Sequence, residues 1–169
     1  MVKHIPNFLS LFRIFDLVIV IVLMEYNCTV LAAIFFGLGI LSDILDGHIA
    51  RNSNAVTTAG KLLDPLADKI FVIGILTAMI KIIDLPYWIV IVIIARELAV
   101  TGLRSIAASE NVVISADKLG KFKTTTQFIS IVVLILGFRE IGIYLLVFAM
   151  IMTVISGYSY FNDYFKGAK

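Results

Sequence analysis

The chain alternates long apolar runs with short polar breaks. Apolar runs cover about 7 to 24, 30 to 51, 61 to 82, 86 to 108, 119 to 137 and 141 to 162, each close to the roughly 20 residues that cross a bilayer as a helix. The pattern predicts six transmembrane helices in one all-α bundle, with 1–169 read as a single domain and little chain left over for loops. Glu25-Tyr26-Asn27 and Asp84-Leu85-Pro86 break the pattern on one side, where Arg139-Glu140 marks a tight turn. On the other side the clearest loop runs from Arg51 to Gly60, with Asn52, Ser53, Asn54, Thr57 and Thr58 in it. Pro65 either sits near the first turn of the third helix, with Asp64 at the cap, or kinks a helix already begun.

Composition agrees with a membrane solvent: 60% of residues are hydrophobic and 15% charged, with a mean hydropathy of +1.03. The first run carries Arg13 and Asp16 and no small-residue cleavage site, so it reads as a retained helix. A single cysteine, Cys28, and the lack of any Cys or His cluster set aside disulfide, zinc and iron–sulfur chemistry. The net charge of +2 gives no reason to expect a nucleic-acid partner. Its distribution is more telling. Lys3, Arg13, Arg51, Lys61, Arg104, Lys118, Lys121, Lys123, Lys166 and Lys169 fall near one set of span ends, with Lys81 and Arg139 near the other. The positive-inside rule then places both termini and the 51 to 60 and 109 to 118 connections in the cytoplasm.

Against that apolar background stand four aspartates, in the pattern Asp43-x2-Asp46-Gly47-x2-Ala50-Arg51-x8-Gly60-x3-Asp64-x3-Asp68. Carboxylates at low dielectric need a cation. At about 100° per residue, Asp43, Asp46, Gly47 and Ala50 share one helix face, and Gly60, Asp64 and Asp68 share another. The connection between them lets the two helices run antiparallel with these faces opposed, which converges the carboxylates near the cytoplasmic ends. An all-oxygen donor set favours two divalent cations, Mg²⁺ or Mn²⁺, and magnesium in turn implies phosphate. Gly47, Ala50 and Gly60 leave room for a large phosphorylated ligand, and Arg51 can fork onto phosphate oxygens.

This string resembles the signature of the CDP-alcohol phosphotransferase family at every position. Ile5-Pro6-Asn7 with Ser10 and Arg13, the stretch 60–69, the stretch 95–104 and the stretch 119–127 are similar to the bacterial branch that uses glycerol 3-phosphate as acceptor. Ser10 stands where that branch has threonine and keeps the hydroxyl. The resemblance implies transfer of the phosphatidyl group from CDP-diacylglycerol to the 1-hydroxyl of glycerol 3-phosphate with loss of CMP, in a bacterial inner membrane and as a homodimer. It further implies that Asp43 and Asp64 touch both metals, Asp46 one and Asp68 the other, with Asp68 also taking the hydroxyl proton. Gly47, Arg51, Gly60 and Thr57 are then expected at the CDP-diacylglycerol site, with Asn7 and Ser10 closing its nucleotide end.

An acceptor carrying a phosphate dianion needs cations of its own, and Arg96, Arg104 and Lys121 are the choices. Glu97 is read either as part of a polar stripe with Thr101 and Arg104 or as a buried partner of Arg96 or Arg104. Lys118 and Lys123 read as anchors against anionic lipid, and Arg13 with Asp16 as a helix-surface pair. His4 and His48 are not expected to be ligands. Tyr158, Tyr160, Phe161 and Tyr164, and Trp88 on the other side, fit interfacial aromatic belts. Gly37 and Gly39, or Gly137 and Gly142, are candidates for close helix contacts. Two further readings stay open, a sibling transferase acting on serine, inositol phosphate or phosphatidylglycerol, and an ion transporter built on intramembrane carboxylates.

Overall fold

A computed structural model describes residues 5–52, 58–110 and 118–167, with side chains described from Phe12 to Ser42, Lys69 to Glu110, at Gly120, and from Phe122 to Lys166. It is all-helical: α1 Ile5–Glu25, α2 Thr29–Asn52, α3 Thr58–Ile82, α4 Tyr87–Ser109, α5 Lys118–Ile135 and α6 Arg139–Gly167, with no strand among the described residues. Each helix covers one of the apolar runs. The turns explain where the helices stop. Asn27 adopts a left-handed φ of 56°, and the amides of Asn27 and Cys28 donate back to Met24 and Leu23 carbonyls at 3.0 and 2.8 Å, closing α1 with a Schellman turn. Gly137, at φ 91°, closes α5 in the same way, with the Phe138 amide on the Val133 carbonyl at 3.1 Å. Asp84, at φ 54°, ends the turn after α3. Asn, Asp and Gly are the residues that tolerate this conformation at least cost. Because α3 starts at Thr58, Pro65 lies inside a helix already begun, and Asp64 is not its cap.

The helices divide into two compact units, residues 1–85 with 135–137, and 86–134 with 138–169. In the first, Val20, Met24, Ala32, Phe36, Phe71, Ile75, Leu76 and Met79 form the core, and the Phe36 and Phe71 rings stack with centroids 5.6 Å apart. Two glycines set the spacing. A Cβ on Gly39 would lie 2.5 Å from Phe71 Cζ and 2.6 Å from Asp16 Oδ2, and one on Gly74 would lie 2.8 Å from Leu17 Cδ2. Small residues allow this close approach of helices. Gly37 has no such neighbour, so of the suggested pair only Gly39 is a contact glycine.

In the second unit Gly142 lets α6 pass Leu134, whose Cγ would be 2.5 Å from an added Cβ. Val100 and Leu103 of α4 pack with Tyr160 of α6. Tyr160 is therefore a core residue and not part of an aromatic belt, whereas Tyr158 is exposed. Among the described residues one helix, Arg139–Lys166, is long and apolar enough to cross a membrane. Large apolar side chains also point outward on both units, Phe15, Val18 and Leu31 on one and Ile91, Leu98 and Ile151 on the other.

Candidate functional site

The contacts of the first unit fix how α1, α2 and α3 align. Asp16 meets Gly39, and Leu17 meets Gly74. The short turn after α1 makes α2 run antiparallel to it, and since Asp16 and Phe71 both flank Gly39 while Leu17 meets Gly74, positions 16 and 17 of α1 match 71 and 74 of α3, the order of a parallel pair. Continuing from these contacts along regular helices, with a rise of about 1.5 Å per residue, places backbone positions 43 and 46 of α2 and 64 and 68 of α3 at one end of the unit, within about two turns. Asn7 and Ser10 of α1 fall at the same depth. Gly47 and Arg51 continue α2 toward that end, and Gly60 belongs to the first turn of α3.

Along the helices the backbone positions of Asp43, Asp46, Asp64 and Asp68 fall toward one end of the unit with those of Asn7, Ser10 and Gly47, and Arg51 and Gly60 lie further out. The side chains of these nine residues, and that of Lys121 on α5, lie outside the described set, and Thr57 lies outside the described residues altogether. Among the described residues no group of three or more His, Cys, Asp or Glu side chains converges, and the side chains of the α2 and α3 aspartates lie outside that set. Their donors are all carboxylate oxygens, which fit a hard cation such as Mg²⁺ or Mn²⁺.

Immediately inward of that level the first unit has an unusual interior. Arg13 is 1% exposed and Asp16 is 0% exposed. They do not form a surface pair: the i, i+3 spacing puts them on neighbouring positions of α1, but α2 and α3 cover that face. Neither Asp16 oxygen has a hydrogen-bond partner. Ser42, also buried, donates to the Gly39 carbonyl at 2.8 Å, a turn that joins the contact glycine to the helix segment bearing Asp43.

In the second unit Arg96 and Arg104 both project from α4, with different fates. Arg104 is exposed. Arg96 donates through Nε to the Thr153 carbonyl at 2.8 Å, through Nη1 to Glu97 Oε1 at 3.1 Å and through Nη2 to Ser156 Oγ at 3.1 Å. Its guanidinium carbon lies 5.9 Å from the Tyr160 ring centroid. Gly157 makes room for this, since a Cβ there would be 3.3 Å from Arg96 Cγ and Nε. Glu97 also pairs with Lys123 of α5, which is buried. Lys123 is thus an interior ion-pair partner and not a lipid anchor. Glu97 with Arg96 matches the buried-pair alternative, now with a second cation that sequence reasoning did not attach to it. Glu97 and Lys123 are 26 residues apart in sequence, and folding brings them together from α4 and α5. At the end of α6 the Tyr164 hydroxyl donates to Glu110 at 2.8 Å.

The chain is 37% identical to the CDP-diacylglycerol–glycerol-3-phosphate 3-phosphatidyltransferase of Rickettsia typhi, over 95% of this chain and 96% of that one. It is 40% identical to the protein of the same name from Bacillus subtilis, over 81% and 75% of the two chains. It is 30% identical to a probable phosphatidylglycerophosphate synthase of Mycobacterium tuberculosis, over 94% and 80%. The profile of the CDP-alcohol phosphatidyltransferase family matches residues 3–155, a stretch that takes in the aspartates of α2 and α3 and the buried ion pairs of α4 and α5, and the chain belongs to that family.

Proposed function

We propose that this protein transfers the phosphatidyl group of CDP-diacylglycerol to the 1-hydroxyl of glycerol 3-phosphate, giving phosphatidylglycerophosphate and CMP, in a bacterial inner membrane with the aspartate end of the first unit toward the cytoplasm. The single observation that supports the reading is the helix register, from which backbone positions 43, 46, 64 and 68 extrapolate to the same end of the first unit, in a family member whose relatives bear that activity in their names. The outward apolar side chains on both units and the length of α6 support a protein that spans the bilayer with several helices.

Asp43, Asp46, Asp64 and Asp68 hold two divalent cations, which supply charge neutralisation for the diphosphate. Gly47 and Gly60 keep backbone close to the CDP group without a side chain in the way, and Arg51 forks onto its phosphate oxygens, with Thr57, Asn7 and Ser10 at the nucleotide end. Asp68 accepts the proton of the 1-hydroxyl as its oxygen bonds to the phosphorus bearing diacylglycerol. The bond from that phosphorus to the CMP oxygen breaks, and CMP leaves with the electron pair. Arg104, exposed on α4, and Lys121 on α5 take the acceptor's phosphate. Arg96, the third cation proposed for that phosphate, also donates to Thr153 and Ser156 and so ties α4 to α6.

The test is CMP release by purified protein from CDP-diacylglycerol and Mg²⁺, with glycerol 3-phosphate, serine, inositol phosphate or phosphatidylglycerol as sole acceptor. Release only with glycerol 3-phosphate, stopped by chelation, is expected. Release with a different acceptor would keep the site and replace the substrate, and ion flux in sealed vesicles without CMP release would replace the reaction.

A further inference from the structure

Arg13 is a buried charge that the site described so far does not use. It lies on α1 with 1% of its surface exposed, in the same interior as Phe36, Phe71 and Val20. A guanidinium stays protonated under all ordinary conditions. Burying it is strongly unfavourable unless an anion faces it. Asp16, one turn further along the same helix and equally buried, does not hydrogen-bond it, since both Asp16 oxygens are without a partner.

Depth identifies the anions that remain. Asp16 is level with Gly39. Three residues back along α1, about 4.5 Å at the helical rise, is Arg13. The same step along α2 leads from Gly39 to Ser42 and Asp43, and back along α3 from Phe71 to Asp68. Long side chains on a helix lean toward its N-terminus, which for α1 is the direction of the aspartate level. Elsewhere in unit 1 the described acids Glu25 and Asp84 are exposed and lie at the opposite end of the helices.

We propose that Arg13 is a positioning residue of the aspartate site, its guanidinium acting as the permanent countercharge of the Asp43–Asp68 end. The proposal rests on the reading that these aspartates hold divalent cations. Before the ions arrive, Arg13 offsets repulsion among the carboxylates and keeps α2 and α3 together. Once they are bound, its charge opposes theirs, so the site binds them less tightly than four carboxylates alone would.

Two readouts on the full-length protein in detergent test this, equilibrium Mn²⁺ binding and thermal unfolding in the absence of metal. Arg13→Gln should bind Mn²⁺ roughly tenfold more tightly than the parent, because one positive charge has been removed from a divalent-cation site. Arg13→Lys, which keeps the charge, should bind it as the parent does. Arg13→Gln should also unfold at lower temperature without metal, and the double variant Arg13→Gln/Asp68→Asn should regain part of that loss. An unchanged Mn²⁺ affinity in Arg13→Gln would overturn the proposal. Should that variant fail to fold without metal, a double variant that folds no better would overturn it equally. Asp43→Asn separates the two levels of argument: if it binds Mn²⁺ like the parent, the cation site itself is misplaced, whatever Arg13 does.

Discussion

The two units of this protein bury charge in opposite ways. In the second, Arg96, Glu97 and Lys123 satisfy one another locally, and every guanidinium nitrogen of Arg96 has an acceptor on α4 or α6. In the first, Asp16 lies fully buried with neither oxygen hydrogen-bonded, a turn away from buried Arg13 and at the inner edge of four more carboxylate positions. Hydrogen bonds and ion pairs of this kind fix helices in place. Carboxylates gathered in an apolar interior favour cations beside them, which is the property the proposed metal site would use. On the function proposed above, the chemistry belongs to the first unit, while Arg96, Glu97 and Lys123 serve the architecture of the second.

The sharpest way to break this contrast is to remove carboxylates from each unit. Asp68→Asn is expected to lower CMP release by about a thousandfold or more while leaving the unfolding temperature close to that of the parent, since it removes the proton acceptor and one metal ligand together. Substantial turnover in that variant would take Asp68 out of its role. Glu97→Gln should do the reverse. Leaving Arg96 and Lys123 buried without their anion costs about 3–5 kcal/mol, seen as a large fall in unfolding temperature, while both KM values stay near those of the parent at a temperature where the variant is folded. A selective rise in KM for the acceptor would instead move Glu97 into the binding site.

Smaller effects sharpen the boundary. Gly39→Ala should destabilise the first unit by about 1–3 kcal/mol, because the new Cβ meets the Phe71 ring and the Asp16 carboxylate. Gly37→Ala, with nothing within 4 Å, serves as its neutral counterpart in the same unfolding assay. Arg104→Ala and Lys121→Ala should each raise KM for glycerol 3-phosphate by about tenfold with little change for CDP-diacylglycerol, the loss of one charge-assisted contact. Equal effects on both substrates would deny these residues the acceptor's phosphate.

Much of this was legible in the chain. The helices follow from apolar runs long enough to span a bilayer, and two of their ends from the breaks at Asn27 and Asp84; Gly137, read as a candidate for close helix contact, has no neighbour within 4 Å of an added Cβ and instead closes α5. The aspartate pattern was legible because acids in an apolar stretch stand out and helical spacing sets their faces. What escaped depended on contacts distant in sequence. Arg13 and Asp16 look like surface neighbours until α2 and α3 are laid over them. Lys123 looks like a lipid anchor until α5 is packed against Glu97, and Tyr160 looks like a belt residue until it joins Val100 and Leu103. Pro65 could not be placed because a proline fits either a first turn or a kink, and the position of Thr58 decides between them.

The central claim, that the aspartate level of the first unit is a divalent-cation site, is tested most directly by counting Mn²⁺ ions bound per chain at equilibrium in the parent, in Asp43→Asn and in Glu97→Gln. The account predicts two ions in the parent, two in folded Glu97→Gln and fewer in Asp43→Asn. Ions that persist in Asp43→Asn and are lost with Glu97 would place the cation site in the second unit and contradict it.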